Sequence, residues 1–158
     1  MNYHTIAKSY NELYKEEQLN KLKIIEKYLK IKKTYKLLDV GCGTGISTNY
    51  FKCKTYGIDS SKEMIKKGEG NLIYGYAQKL PFKYKFFDIV ISITAIHNFK
   101  NPEKAIKEIL RIKKKKVQIV ITLLKRSQKY NKLKYLLNTY FKIKKEIDEE
   151  KDTIFIMN

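Results

Sequence analysis

The apolar positions of this chain change their period from one stretch to the next. Over the first thirty-odd residues they recur at helical spacing. Tyr3, Ile6, Ala7 and Tyr10 share one face of a first segment, and Leu22, Ile25 and Leu29 repeat the spacing in a second. From Tyr35 onward, short runs rich in apolar and β-branched residues take over. Tyr35–Val40, Thr55–Ile58, Asn71–Tyr74, Asp88–Thr94 and Val117–Leu123 read as strands. Asp88–Thr94, almost unbroken, carries the mark of a strand buried on both faces. Between them the spacing predicts helices from Thr44 or Gly45 through about Phe51, over Ser61–Lys67, from Pro102 to about Ile112, and over roughly Gln128–Asn138. Ser60 with Glu63 forms a capping-box pattern for the second of these, and Asn101 caps the third with Pro102 at its first position. Pro81 forbids helix behind the third strand. Lys113–Lys116 reads as a solvated turn. Tyr140–Ile147 and Thr153–Met157 alternate around the polar turn Asp148–Asp152, which predicts a closing antiparallel hairpin.

The order is helices, then a strand–helix unit repeated five times, then a hairpin. It predicts an α/β, Rossmann-like seven-stranded sheet of five parallel strands plus a C-terminal antiparallel hairpin, with helices on both faces. Residues 1–158 are expected to form a single domain, with 1–34 a helical cap segment and 35–158 the core. The third strand, carrying Leu72, Ile73 and Tyr74, should lie at a sheet edge, where another chain can add by strand pairing. A ligand should sit outside the carboxyl ends of the strands, beside the first. Asp39 through Gly45, Asp59, Ala77 and Thr94 all fall on that edge.

The chemistry begins in Leu37–Gly45, Leu-Leu-Asp-Val-Gly-Cys-Gly-Thr-Gly, a strand running into glycines at alternate positions. Glycine lets backbone N–H groups approach a ligand closely. Asp59, ending the second strand, is placed to take both hydroxyls of a ribose. A dinucleotide fingerprint is G-x-G-x-x-G, whereas Gly41, Gly43 and Gly45 give G-x-G-x-G. The acid at Asp39 would repel a pyrophosphate and suit a cationic ligand. Both features favour S-adenosylmethionine, whose amino-acid tail and sulfonium are cationic, over a dinucleotide.

On these residues the chain resembles the class I S-adenosylmethionine-dependent methyltransferases, small type 11 branch. Gly75-Tyr76-Ala77-Gln78-Lys79-Leu80-Pro81-Phe82 is similar to the branch's G-D-A-x-x-L-P-F segment. Phe87-Asp88-Ile89-Val90 through Ile96-His97, then Pro102-Glu103-Lys104-Ala105, matches its next one. The resemblance implies that Asp39, Gly41, Cys42 and Gly43 surround the methionine moiety and that Asp59 holds the ribose. Ser60 and Met64 would flank the adenine, with Ala77 and Gln78 at its polar edge. Ile93 or Thr94 would offer a carbonyl to the amine, and Tyr10 would act as a lid. Tyr76 stands where the branch usually has Asp, and Gln78 is the nearby substitute acceptor. Some members of the branch work with a small activator protein along the third-strand edge, which implies such a partner here.

Composition bears on the acceptor. The formal charge of +18 favours polyanions such as RNA, yet almost all of it is Lys, and Arg111 and Arg126 are the only arginines. A/T-rich codon usage or growth at high temperature would also raise Lys. An RNA or protein of the translation machinery is the expected acceptor, ahead of a small molecule. A non-catalytic binding subunit of methyltransferase fold is the remaining alternative. His97 is the candidate base if the nucleophile arrives protonated, against its reading as a packing histidine. Cys42 and Cys53 read as packing residues, and no metal-ligand spacing occurs. The chain has no 18-residue apolar run and no signal pattern, so no membrane partner is expected, and a cytoplasmic location is. Tyr130, Tyr135 and Tyr140 are expected mainly in the core of the last helix and strand.

Overall fold

The computed structural model describes residues 3–158, with side chains from Asn11 onward. Helix α1 (Tyr3–Glu26) is continuous where two segments were expected, since neither Gly nor Pro interrupts it. The strands are β1 (Lys36–Val40), β2 (Lys54–Asp59), β3 (Leu72–Tyr74), β4 (Phe87–Ser92), β5 (Lys113–Leu124), β6 (Ile143–Asp148) and β7 (Asp152–Met157). They form one sheet in the order β3-β2-β1-β4-β5-β7-β6. The first five are mutually parallel, and β7 runs antiparallel to both β5 and β6. The strand order and directions are those that the resemblance implies, and β3 is an edge, as expected.

Alternation along the strands sends side chains to two packed faces. On one, Leu37, Ile89, Ile91, Val120 and Ile154 meet Leu22 and Ile25 of α1 and Phe51. On the other, Leu38, Val40, Val90, Ile119 and Ile121 meet two further helices: α3 (Pro102–Ile112) through Ile106 and Ile109, and α4 (Tyr130–Tyr140) through Leu133, Leu136 and Leu137. Between β2 and β3 lies the short α2 (Lys62–Lys67).

Five expectations are corrected. Residues 44–51 form a run of turns, not a helix. Gly43 and Gly45 hold positive φ, which a right-handed helix excludes, and Asn49 Nδ2 competes by donating to the carbonyls of Gly45 and Glu69. With no α-helix between β3 and β4 either, the strand–helix unit does not repeat five times. Ser61, not Ser60, caps α2, its Oγ accepting from the Met64 N–H at 3.2 Å. Lys113–Lys116 belongs to β5: Lys113 pairs with Phe87, and a register shift separates it from Gln118, which pairs with Ile89. Tyr135 is 70% exposed because it lies across α4 from Leu133, Leu136 and Leu137.

Candidate active site

The strand order reverses between β2 and β4, on either side of β1, and a cavity of about 970 Å³ opens at the carboxyl ends of these strands. Its floor is the glycine turn. Gly41 has φ +81, and a Cβ there would stand 2.6 Å from the Ala95 Cβ. Gly43 has φ +56, and a Cβ there would meet nothing within 4 Å. The first glycine lets the turn close against the loop after β4; the second leaves open space for a ligand. Asp59 ties the two nucleotide-type motifs together, its Oδ2 accepting from the Gly43 N–H and its Oδ1 from the Ser61 N–H, both at 2.8 Å.

Ten of the sequence-predicted residues line this cavity: Gly41, Cys42, Gly43, Asp59, Ser60, Met64, Ala77, Gln78, Ile93 and Thr94. Two described ones do not. Asp39, 1% exposed, lies behind the turn and accepts from the Thr48 hydroxyl at 2.9 Å. Burial pushes its carboxyl up to about 7, against the opposing effect of that hydrogen bond. His97 sits in the 3₁₀ turn Ile96–Asn98, off the cavity wall. Its Nδ1 is buried without a hydrogen-bond partner among the described residues, and burial lowers its pKa. The Tyr10 side chain, the expected lid, lies outside the described residues.

Tyr76 occupies the cavity wall, its hydroxyl 3.1 Å from that of Tyr74. The loop bearing Ala77 and Gln78 is clamped from below. Arg111 donates to the carbonyls of Leu80 (2.9 Å) and Phe82 (2.7 Å), and Glu108 accepts from the Leu80 N–H (2.8 Å). One of the two arginines is therefore committed to holding a loop.

Sequence reasoning missed a buried polar network under the opposite wall. Thr94 is held at φ +51, an uncommon backbone for a β-branched residue. Its N–H donates to Thr122 Oγ1 at 2.7 Å, and its hydroxyl donates to Asp152 Oδ2 at 2.5 Å. Thr122 donates to the same oxygen at 2.8 Å. Lys21 of α1, 3% exposed, donates to Thr94 Oγ1 at 3.1 Å and lies 3.4 Å from Asp152 Oδ2. The network thus joins α1, the end of β4 and the hairpin at the cavity wall. Gln18, Asn98, Phe99 and Lys100 were also missed, for lack of any motif. Among the described residues no group of three His, Cys, Asp or Glu could hold a metal, and no helix is long and apolar enough to cross a membrane.

Residues 38–121 match the family model described as a methyltransferase domain. An uncharacterized protein of Methanocaldococcus jannaschii is 37% identical over 120 residues, covering 71% of this chain and 46% of its own length. The 18S rRNA (guanine-N(7))-methyltransferase of Bos taurus is 38% identical over 77 residues (43% of this chain, 27% of that protein). The demethylmenaquinone methyltransferase of Thermotoga maritima is 32% identical over 96 residues (54% and 42%). The chain spans less than half the length of these relatives. Among solved structures, a Haloferax volcanii methyltransferase in complex with the Trm112 methyltransferase activator superposes with a TM-score of 0.75 at 13% identity, covering 95% of this chain and 92% of that one. Fold, glycine turn and matched residues agree: this chain belongs to the type 11 branch of the class I S-adenosylmethionine-dependent methyltransferases.

Proposed function

We propose that the chain transfers the methyl group of S-adenosylmethionine to an acceptor of the translation machinery, RNA ahead of protein. The observation that carries the cofactor half is the pairing of Asp59 with the Gly43 turn at one end of the cavity. When bound, S-adenosylmethionine supplies an electrophilic methyl group on a sulfonium. Asp59 takes the ribose hydroxyls, Ser60 and Met64 flank the adenine, and Ala77 and Gln78 meet its polar edge. Gly41, Cys42, Gly43, Ile93 and Thr94 border the methionine moiety, with Asp39 behind the turn.

The described residues offer no neutral base at the cavity wall, so catalysis rests on alignment of the nucleophile with the methyl group in a site shielded from water. A nucleophile with an available lone pair, such as a ring nitrogen of a base, suits this arrangement. The charge of +18 supports a polyanionic acceptor, and one relative is named for an rRNA base. A small molecule is the second reading, supported by the relative named for demethylmenaquinone. An activator subunit along the β3 edge is supported by the exposed Tyr74 and by the Trm112 complex of the Haloferax neighbour.

The test is incubation of the chain with radiolabelled methyl donor and fractionated RNA, protein and metabolite pools, with and without a Trm112-type activator. Label in RNA or in a ribosome-associated protein is expected. Label confined to metabolites would overturn the acceptor assignment.

A further inference from the structure

At the end of the sheet opposite the cavity, the strand register sets lysines side by side. Lys36 opens β1, Lys54 opens β2, and the two are direct partners across that pair. Like charges on neighbouring strands about 4.8 Å apart repel each other. Lys113 opens β5 beside Phe87 of β4, and the exposed Lys85 lies two residues before that phenylalanine. From there β5 advances five residues, to Gln118, while β4 advances two, to Ile89. The excess is a bulge that takes in Lys114, Lys115 and Lys116, and a bulge bends its strand and re-aims side chains. The acids beside this row are engaged. Asp88 accepts from the Lys36 N–H at 2.9 Å and pairs with Lys114 at 3.1 Å, and Glu108 pairs with Arg111 at 2.8 Å. Lys54, Lys85, Lys113, Lys115 and Lys116 are in no ion pair among the described residues.

A second cavity, of about 380 Å³, lies in this row, lined by Tyr84, Lys85, Leu110, Arg111, Lys113 and Lys115. Lys85 holds φ +55, a left-handed backbone uncommon outside glycine. The end of α3 keeps it there: the Lys85 N–H donates to the Arg111 carbonyl at 3.1 Å and the Phe86 N–H to the Ile112 carbonyl at 2.8 Å. A strained backbone persists only where its surroundings hold it, and this one presents a free cation to a cavity. Tyr84 is 65% exposed, and Lys85 Nζ lies 5.9 Å from its ring centroid. A row of unneutralised cations joined to an exposed ring matches a single nucleic-acid strand, whose phosphates meet the charges and whose bases stack on the ring. A membrane surface is matched by a broad apolar face, which one protruding ring does not supply.

We infer that the amino-end rim of the sheet is a docking surface for single-stranded RNA, separate from the cofactor cavity. The phosphates follow Lys54, Lys36, Lys85, Lys113 and Lys115, and one base lies on Tyr84. The choice of RNA rests on the acceptor reading above; the surface itself does not.

The test is fluorescence anisotropy of the folded chain with a labelled oligouridylate of about 20 nucleotides, over roughly 50 to 300 mM salt. Saturable binding is expected, its log K falling with log salt by about 0.7 per phosphate contact. Lys54→Gln/Lys85→Gln/Lys115→Gln/Lys116→Gln should weaken it at least tenfold and flatten the salt slope by about 3. A control of equal charge, Lys23→Gln/Lys132→Gln/Lys142→Gln/Lys144→Gln, replaces exposed lysines on α1, on α4 and at β6, and should weaken it less than threefold. Tyr84→Ala should weaken it about fivefold and leave the salt slope unchanged. All three variants should hold S-adenosylhomocysteine within about twofold of the parent chain, which separates a lost contact from a lost fold. Equal losses in the two quadruple variants would mean that net charge alone is at work and would overturn the rim. Inorganic polyphosphate competing as well as the oligonucleotide, or tighter binding to phosphatidylserine vesicles, would also overturn it. A chain that binds S-adenosylhomocysteine but no oligouridylate would overturn the rim and leave the cofactor site standing. Oligouridylate held at the rim by a chain that methylates only metabolites would support the rim and overturn the acceptor reading instead.

Discussion

Replacing Lys21 by Met should damage both the fold and the site, because its ammonium is the counter-charge to a carboxylate with no exposure at all. Lys21 Nζ lies 3.4 Å from Asp152 Oδ2, and the two side chains are 4% and 0% exposed. At that separation and an effective dielectric constant of about 20, the attraction is roughly 5 kcal/mol. Removing one partner of a buried pair costs about 3–5 kcal/mol, because the survivor keeps its desolvation penalty. Met retains most of the aliphatic stem, so the packing loss is small. Asp152 would keep the hydroxyl donors Thr94 and Thr122, which hydrogen-bond it without neutralising it. For a chain of this size the expected fall in Tm is about 6–20 °C. Asp152→Asn should cost a similar amount by stranding the ammonium. In the Lys21→Met/Asp152→Asn double variant neither charge is left buried, so it should be more stable than the sum of the singles by about 2–3 kcal/mol. Urea unfolding of the four proteins measures this. Single-variant effects that add within about 0.5 kcal/mol would refute the buried-pair account. Because the same oxygen holds Thr94 at φ +51, the singles should also bind S-adenosylhomocysteine several-fold more weakly.

Three further outcomes follow from the geometry. The Asp39 carboxyl is raised from 3.8 to about 7 by burial, so the folded chain holds this proton more tightly than the unfolded one. Its contribution to stability is greatest below about pH 4 and is lost as pH rises to about 7. Asp39→Asn should therefore gain on the parent chain across that window, and equal offsets in urea midpoint at about pH 4.5 and 7.5 would contradict this. Gly41→Ala would force a left-handed backbone on alanine and drive its Cβ to 2.6 Å from that of Ala95. It should cost about 1–3 kcal/mol by thermal unfolding and weaken S-adenosylhomocysteine binding, whereas a neutral variant would mean the turn is not held as described. Arg111→Met frees the carbonyls of Leu80 and Phe82 and should speed amide exchange across residues 76–86; unchanged exchange would show that the clamp does not restrain the loop.

How far the sequence foretold the molecule depended on the range of the forces involved. The parallel strands were legible because β-branched runs such as Ile89–Ile91 have few alternatives to burial, and α3 because Asn101-Pro102 marks a helix start by local chemistry. The turns after Gly45 misread as helix because apolar spacing does not report the φ of Gly43 and Gly45, nor the capture of backbone carbonyls by Asn49. Lys113 and its neighbours look like a solvated turn by charge, yet Lys113 pairs with Phe87 and extends a strand. The Gly41–Gly45 turn and Asp59 stood out as candidates because a ligand loop has a compact signature, and they do line the cavity. Lys21 and Asp152 were not, since charged residues from opposite ends of a chain are ordinarily read as solvated. Gln18 likewise has no sequence signal: it reaches the cavity only because α1 forms part of its wall.

The central claim is that the Gly41–Gly45 turn and Asp59 build an S-adenosylmethionine site. Calorimetric titration of the chain with S-adenosylhomocysteine, beside Asp59→Ala, tests it most directly. Saturable binding at one site per chain is expected, weakened by about 1–3 kcal/mol in the variant through lost charged hydrogen bonds. Absence of binding to the folded chain, or an affinity indifferent to Asp59→Ala, would contradict it.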